Sequence, residues 1–330
     1  MQTGLRKLRS ISIFVLAVAI FFAVVGYTFR NVDLASLLAG ASVSDVLGLL
    51  VWGLGFHLSF GVIMWVAFWL HYKLKLAVVE ILTLPLMMHL FLYLMPLKGG
   101  MLFQVFYSKQ KYKLDLSKGF SLGMMVFLNS LLLTIFLGLA MVYLLPINSL
   151  ELKVMIWGMG LSLVGFIVGL NFLPKDRVEG QGFLKRLLNF LINVRVQLTD
   201  QFKNVQLFFG LFVTTFVSVV IQAILFWKTG EFIGVETEFG PVLLVVLVLR
   251  IILLIRLLPG NLGIQEVMIG VVFATAGFEI EDGLMIGIIT RLVSVFWTAT
   301  IGLPALYSNL RYFESASLKG LIKSVAKAEE

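Results

Sequence analysis

Six stretches of this 330-residue chain, roughly 11–29, 46–70, 119–145, 152–173, 204–227 and 284–308, stay apolar for about twenty residues or more. An α-helix rises about 1.5 Å per residue, so ~20 such residues cross the ~30 Å hydrocarbon core of a bilayer. A soluble domain has no place for six of them. The composition agrees: 60% of the residues are hydrophobic and 13% charged, where soluble domains carry about 25% charged. A soluble globule, a disordered chain and a nucleic-acid-binding domain are all excluded, and no nucleic acid is expected as a partner. We expect one all-α polytopic membrane domain over residues 1–330. Arg6, Lys7 and Arg9 precede the first apolar run as in a secretory signal, but the run is of span length, so it is read as a retained helix.

Two further apolar stretches are interrupted. Residues 76–108 break at Pro96, Gly99 and Gly100, and residues 241–277 break at Pro259, Gly260 and Gly263. Proline removes a backbone donor and clashes with the preceding turn, so no helix runs through either tract. Both are expected to be re-entrant, entering and leaving on the same side.

Charge sets the sidedness. If the six full stretches cross and the two broken ones return, one side collects 19 basic against 7 acidic residues, a net +12. The other side holds 3 basic against 9 acidic residues, a net −6. The positive-inside rule then puts both termini in the cytoplasm, with a tail over 311–330. Full crossings by the broken stretches would instead send the basic tract 175–203 outward.

This topology makes the first half (1–150) and the second (151–310) inverted repeats. Landmarks recur at a fixed offset: Pro96 and Pro259 lie 163 positions apart, as do Gly100 and Gly263, while Gly119 and Gly283, and Gly138 and Gly302, lie 164 apart. Inverted repeats with paired broken helices near the midplane are the pattern of transporters.

Six ionised residues remain in the apolar zone: Lys98, Arg250, Arg256, Arg291, Glu80 and Glu266. Such residues are costly in lipid and are expected to face the interior. Four cations against two carboxylates leave a surplus of +2. The missing anion is expected from outside, and a lipid phosphate is the anion a bilayer supplies. Arg250 and Arg256 are about 120° apart around one helix and ~9 Å apart along it. Arg256, three residues before Pro259, is the better phosphate contact and Arg250 a brace or a ligand. Asn261, Gln265 and Glu266 open a half-helix whose free N–H groups suit an oxyanion. Glu266 is open to capping that helix, pairing with an arginine or carrying protons, and Arg291 to pairing with Glu266 or touching ligand. In the first half, Lys98 and Gln104 flank the break as candidate ligand contacts. Glu80, a pairing or proton-carrying candidate, would meet Lys98 or another cation. His89 lies about 180° around the helix from Glu80 and is expected to bond a neighbouring helix; His57 reads as packing.

No P-loop, HExxH, G-x-S-x-G or Mg²⁺-binding Asp pair occurs, cysteine is absent, and there are three histidines. No cofactor, metal or catalytic residue is expected. Residues 182–200 form a basic amphipathic segment suited to the inner leaflet or to a partner.

At LLPGNLGIQEVMIGVVFATAG, followed by TRLVSVFW, the chain resembles the lysylphosphatidylglycerol synthase transmembrane region family. The shared positions are Pro259, Gly260, Gly263, Glu266 and Arg291; in the first half, Gly100 matches best. The resemblance implies lipid handling in the cell (inner) membrane: a flippase or scramblase for an anionic or modified phospholipid or a polyprenyl-phosphate-type lipid. It implies a membrane lipid with a phosphate head group as ligand, with a separate lipid-modifying synthase and a homo-oligomer as possible partners. No attached synthetase domain is expected. The alternatives are a membrane transferase or accessory subunit in lipid-linked glycan or hopanoid synthesis, and a scaffold that recruits a synthase through 182–200.

Overall fold

The computed structural model describes residues 42–94, 99–144, 150–172, 188–189, 192, 195–196, 199–200, 202–252 and 261–309. Pro96, Lys98, Arg256, Pro259 and Gly260 lie outside the described residues, as do the first span, the tail and most of the segment 182–200.

Every regular element among the described residues is helical. In chain order these are α1 (Val43–Tyr72), α2 (Val78–Leu94), α3 (Gly99–Tyr112), α4 (Leu116–Leu144), α5 (Leu150–Asn171), α6 (Val205–Phe232), α7 (Phe239–Ile252), α8 (Ile264–Thr275) and α9 (Ile280–Trp297). A π-helical turn, Thr298–Gly302, carries α9 into α10 (Leu303–Asn309). Among the described residues, four helices are long and apolar enough to cross a bilayer: α1, α4, α6 and the run Ile280–Asn309. Large apolar side chains lie on their outer faces, among them Val51, Phe136, Val213 and Leu292. Water would penalise so much exposed hydrocarbon; lipid does not. The chain is a polytopic membrane protein.

Polar residues mark the ends. Ser42 and Asp45 cap α1 reciprocally, and the Asn204 side chain accepts the Leu207 N–H at 3.0 Å to open α6. These contacts satisfy donors that a helix start leaves free.

The short helices flank the two breaks. At about 1.5 Å per residue, the 17 residues of α2, 14 of α3, 14 of α7 and 12 of α8 each fall short of ~30 Å. Helices α2 and α3 fold back on one another as a hairpin. Phe91 stacks on Phe103 with ring centroids 4.4 Å apart, and Gly100 sits against the Met88 carbonyl, where a Cβ would come within 2.7 Å. At the other end of the hairpin Glu80 accepts hydrogen bonds from Tyr107 at 2.5 Å and Tyr112 at 2.7 Å.

Two sets of helices share one plan. The set α1 to α4 has lengths of 30, 17, 14 and 29 residues. The set α6 to α8 has 28, 14 and 12, followed by the 30-residue run Ile280–Asn309. A shift of 163 positions brings each helix start of the first set within two residues of its counterpart. The contacts match as well: α2 packs on the π turn of the second set, and α7 packs on α4 of the first. The leading helices, α1 and α6, pack together and run antiparallel, with Gly55 facing Ile221 and Gly210 facing Val66 and Leu70.

Proline explains two local irregularities. Pro304 has no N–H for the carbonyl four residues earlier and its ring crowds that carbonyl, and the helix widens to a π turn just before it. Pro85, inside α2, likewise cannot donate to the Ile81 carbonyl. Gly61 of α1 lies directly on that carbonyl, so a Cβ there would be 1.6 Å from the oxygen.

Candidate functional site

A cavity of about 130 Å³ opens where α1 and α2 of the first set meet α6, α7, α8 and α9 of the second. Its wall is mixed. Phe56, Leu92, Leu225, Phe226, Leu249 and Val293 supply apolar surface. His57, His89, Tyr93, Gln222, Gln265, Thr290, Arg291 and Ser294 supply polar groups. Isolated polar groups are costly in an apolar bundle, so a polar cluster drawn from five helices marks the site.

Its best-defined part is the pair Glu266 and Arg291. Both are buried, at 0% and 5% exposure, and the Arg291 Nε–H meets Glu266 Oε1 directly. The other carboxylate oxygen, Oε2, accepts the Gly263 N–H at 2.9 Å. Gly263 has φ 78° and Asn261 φ 47°, so the chain enters α8 through two left-handed residues, a conformation glycine and asparagine adopt most readily. Arg291 Nη2 also donates to the Asn261 carbonyl at 3.5 Å, and its guanidinium lies 5.9 Å from the Tyr93 ring centre, in cation–π range. One ion pair therefore caps α8, ties it to α9 and reaches across to α2.

Arg250 is held differently. Its Nε–H donates to Gln222 Oε1 at 2.7 Å and Nη2 to Ser218 Oγ at 3.2 Å. Both partners are neutral, and no carboxylate pairs with Arg250 among the described residues. Gln222 itself lines the cavity. Among the described residues around the site, Glu266 cancels Arg291 and the charge of Arg250 remains.

On the first-set side, His57 of α1 and His89 of α2 face each other, with ring centroids 4.7 Å apart and planes at 90°. His57 Nε2 is 3.2 Å from Ser294 Oγ, and the Tyr93 hydroxyl donates to the same oxygen at 3.4 Å.

Some residues chosen from the sequence are placed elsewhere. Gln104 is buried against α4 beside Gly123 and does not line the cavity. Glu80 is not part of the cavity either: it meets Lys111 at 2.8 Å and accepts the Ala77 N–H at 2.8 Å, closing the open end of the α2–α3 hairpin. Glu80 is thus an ion-pair partner of Lys111, a residue the charge count assigns to the cytoplasmic surface. Gly99 and Gly100 start α3 and are buried, while Gln265 reaches the cavity and Asn261 reaches Arg291. His57, His89, Tyr93, Gln222, Thr290 and Ser294 were not chosen from the sequence. The usable signal was rarity, since two of only three histidines meet here. Their spacing is uninformative because they sit on different helices.

The family model described as Lysylphosphatidylglycerol synthase TM region matches residues 12–302. Comparison with curated proteins and with solved structures gives no match.

Proposed function

The chain belongs to the lysylphosphatidylglycerol synthase transmembrane region family, and from that premise we propose that it is a flippase or scramblase, moving a lipid with a phosphate head group between the leaflets of the inner (plasma) membrane. Membership supports a lipid-related role in a membrane; the site supports the finer reading. The observation that carries it is the positive charge of Arg250, held just behind the cavity wall on the lining residue Gln222. Arg250 is bonded only to neutral groups among the described residues. An arginine kept charged without a carboxylate is a receptor for an anion from outside the protein, and phosphate suits its planar set of donors.

The architecture supports the same reading. Equivalent helices α1 and α6 are antiparallel, and the two sets meet at the cavity, as in transporters built from inverted repeats with broken helices at midplane. In this reading α2–α3 and α7–α8 are re-entrant hairpins. The head group passes through the polar cavity while the acyl chains stay in lipid. Lys98 and Arg256 are the further phosphate contacts. The chain acts as a transporter and not as an enzyme, with a separate synthase supplying the modified lipid.

The test is reconstitution into liposomes carrying a head-group-labelled lipid, with an impermeant reductant added outside. The protein is expected to expose the inner-leaflet label to bleaching. Arg250→Gln is expected to slow that step about ten-fold, the worth of ~1.4 kcal/mol of binding, with no loss of folded yield. Unchanged bleaching for anionic phospholipids and polyprenyl phosphates alike would refute the proposal.

A further inference from the structure

We propose that His57 and His89 form a proton-binding site that takes up a single proton and, through it, links anion occupancy of the cavity to pH. The coupling rests on the lipid-transport reading above; the proton site itself does not.

The argument starts from the two rings. His57 is 1% exposed, and its Nδ1 is buried without a hydrogen-bond partner. An unsatisfied ring nitrogen in an apolar bundle costs free energy unless something binds it. His89 Nδ1 lies 3.3 Å from the Pro85 carbonyl. A carbonyl only accepts, so Nδ1 carries the hydrogen and Nε2 is the basic nitrogen of the neutral ring. With centroids 4.7 Å apart, two imidazoliums would repel strongly in this setting. The pair therefore binds a second proton only at much lower pH than the first, as one coupled unit.

The surroundings leave the pair as the titrating element. From α2, Tyr93 lies 6.4 Å from His89, ring centre to ring centre. From α9 come neutral Ser294 and Arg291, the latter matched by Glu266 of α8. From α7, Arg250 acts through Gln222 of α6. The two carboxylates that the sequence suggested as proton carriers are occupied, Glu266 by Arg291 and Glu80 by Lys111. The histidines have no counterpart in the second set: the 163-residue shift takes them to Val220 and Ile252. Protonation thus charges one side of the cavity only. A bound phosphate favours the imidazolium, and by linkage the imidazolium favours phosphate binding by the same factor.

Two measurements test this. The first is imidazole ¹⁵N NMR of the His71→Gln chain in neutral-lipid nanodiscs, which leaves the two cavity histidines as the signals. Two transitions separated by more than about one pH unit are expected, collapsing to one in His57→Gln. Equal midpoints for both rings, or no titration across the accessible range, would overturn the proton site. The second is the pH profile of the liposome assay with trace labelled anionic lipid. Between the plateaus the wild-type rate is expected to rise up to about ten-fold per pH unit as pH falls, the limit for one proton. His57→Gln and His89→Gln should each flatten the profile, the slope and not the plateau rate being the readout. A wild-type profile already flat would overturn the coupling. Absence of flipping at every pH alongside a normal NMR titration would instead count against the transport reading and leave the proton site standing.

Discussion

Glu266 joins three parts of the molecule through one carboxylate: the Gly263 N–H at the start of α8, Arg291 on α9, and through Arg291 the Asn261 carbonyl. Glu266→Ala leaves a guanidinium buried without its counter-charge and a helix start uncapped. A loss of about 3–5 kcal/mol is expected, read as a lower midpoint of thermal unfolding in detergent. The double variant Glu266→Gln, Arg291→Met should cost clearly less than the sum of the single ones, because both buried charges leave together. Gly61 makes a sharper test. A methyl group there would sit 1.6 Å from the Ile81 oxygen, backbone that cannot move aside. Gly61→Ala should abolish folded yield, whereas Gly158→Ala, with open space at its Cβ, should be neutral or stabilising by up to ~1 kcal/mol through helix propensity. The sequence announces that Pro85 frees a carbonyl. It does not say which residue covers it, because Gly61 comes from another helix.

At the scale of elements, the α2–α3 hairpin is closed by side chains about thirty positions apart: Glu80 with Tyr107, Lys111 and Tyr112. Tyr107 is fully buried and bonds to an ionised group, a contact worth about 1.5–3 kcal/mol. Tyr107→Phe should therefore loosen the hairpin, and hydrogen exchange should quicken in α3 before it does in α4. Equal protection in the variant and the parent would show that apolar packing of Phe91 on Phe103 suffices. Helix positions were legible beforehand because apolar run length and the Pro and Gly breaks are local properties. Partners were not. Counting charges places Glu80 and Lys98 in the same apolar zone, but folding the hairpin back brings Lys111 to Glu80. Gln104 lies away from the cavity for a similar reason: proximity to a break says nothing about which face of α3 it occupies. The ion pair of Glu266 and Arg291 was easier to anticipate, since few buried charges were available to match either residue.

At the scale of the whole molecule, the recurrence at 163 positions and the antiparallel packing of α1 on α6 make one demand about the membrane. Both ends of the first hairpin must lie on the same face, opposite the loop between α6 and α7. The chain has no cysteine, so single cysteines can report this directly. Lys75, Asp115 and Glu236 are exposed at the relevant positions. With an impermeant maleimide added to intact cells, Glu236→Cys should be labelled, while Lys75→Cys and Asp115→Cys should react only after the membrane is opened. The two cytoplasmic sites must behave alike, because a hairpin returns the chain to the face it left. If Asp115→Cys were labelled from outside and Lys75→Cys were not, α2 and α3 would together cross the membrane. The second set would then no longer be inverted relative to the first, and a cavity with alternating access from the two leaflets would lose its structural basis. The short lengths of α2 and α3, at 17 and 14 residues, favour the return. Each falls short of the ~30 Å hydrocarbon core, and their mutual contacts place them side by side instead of end to end.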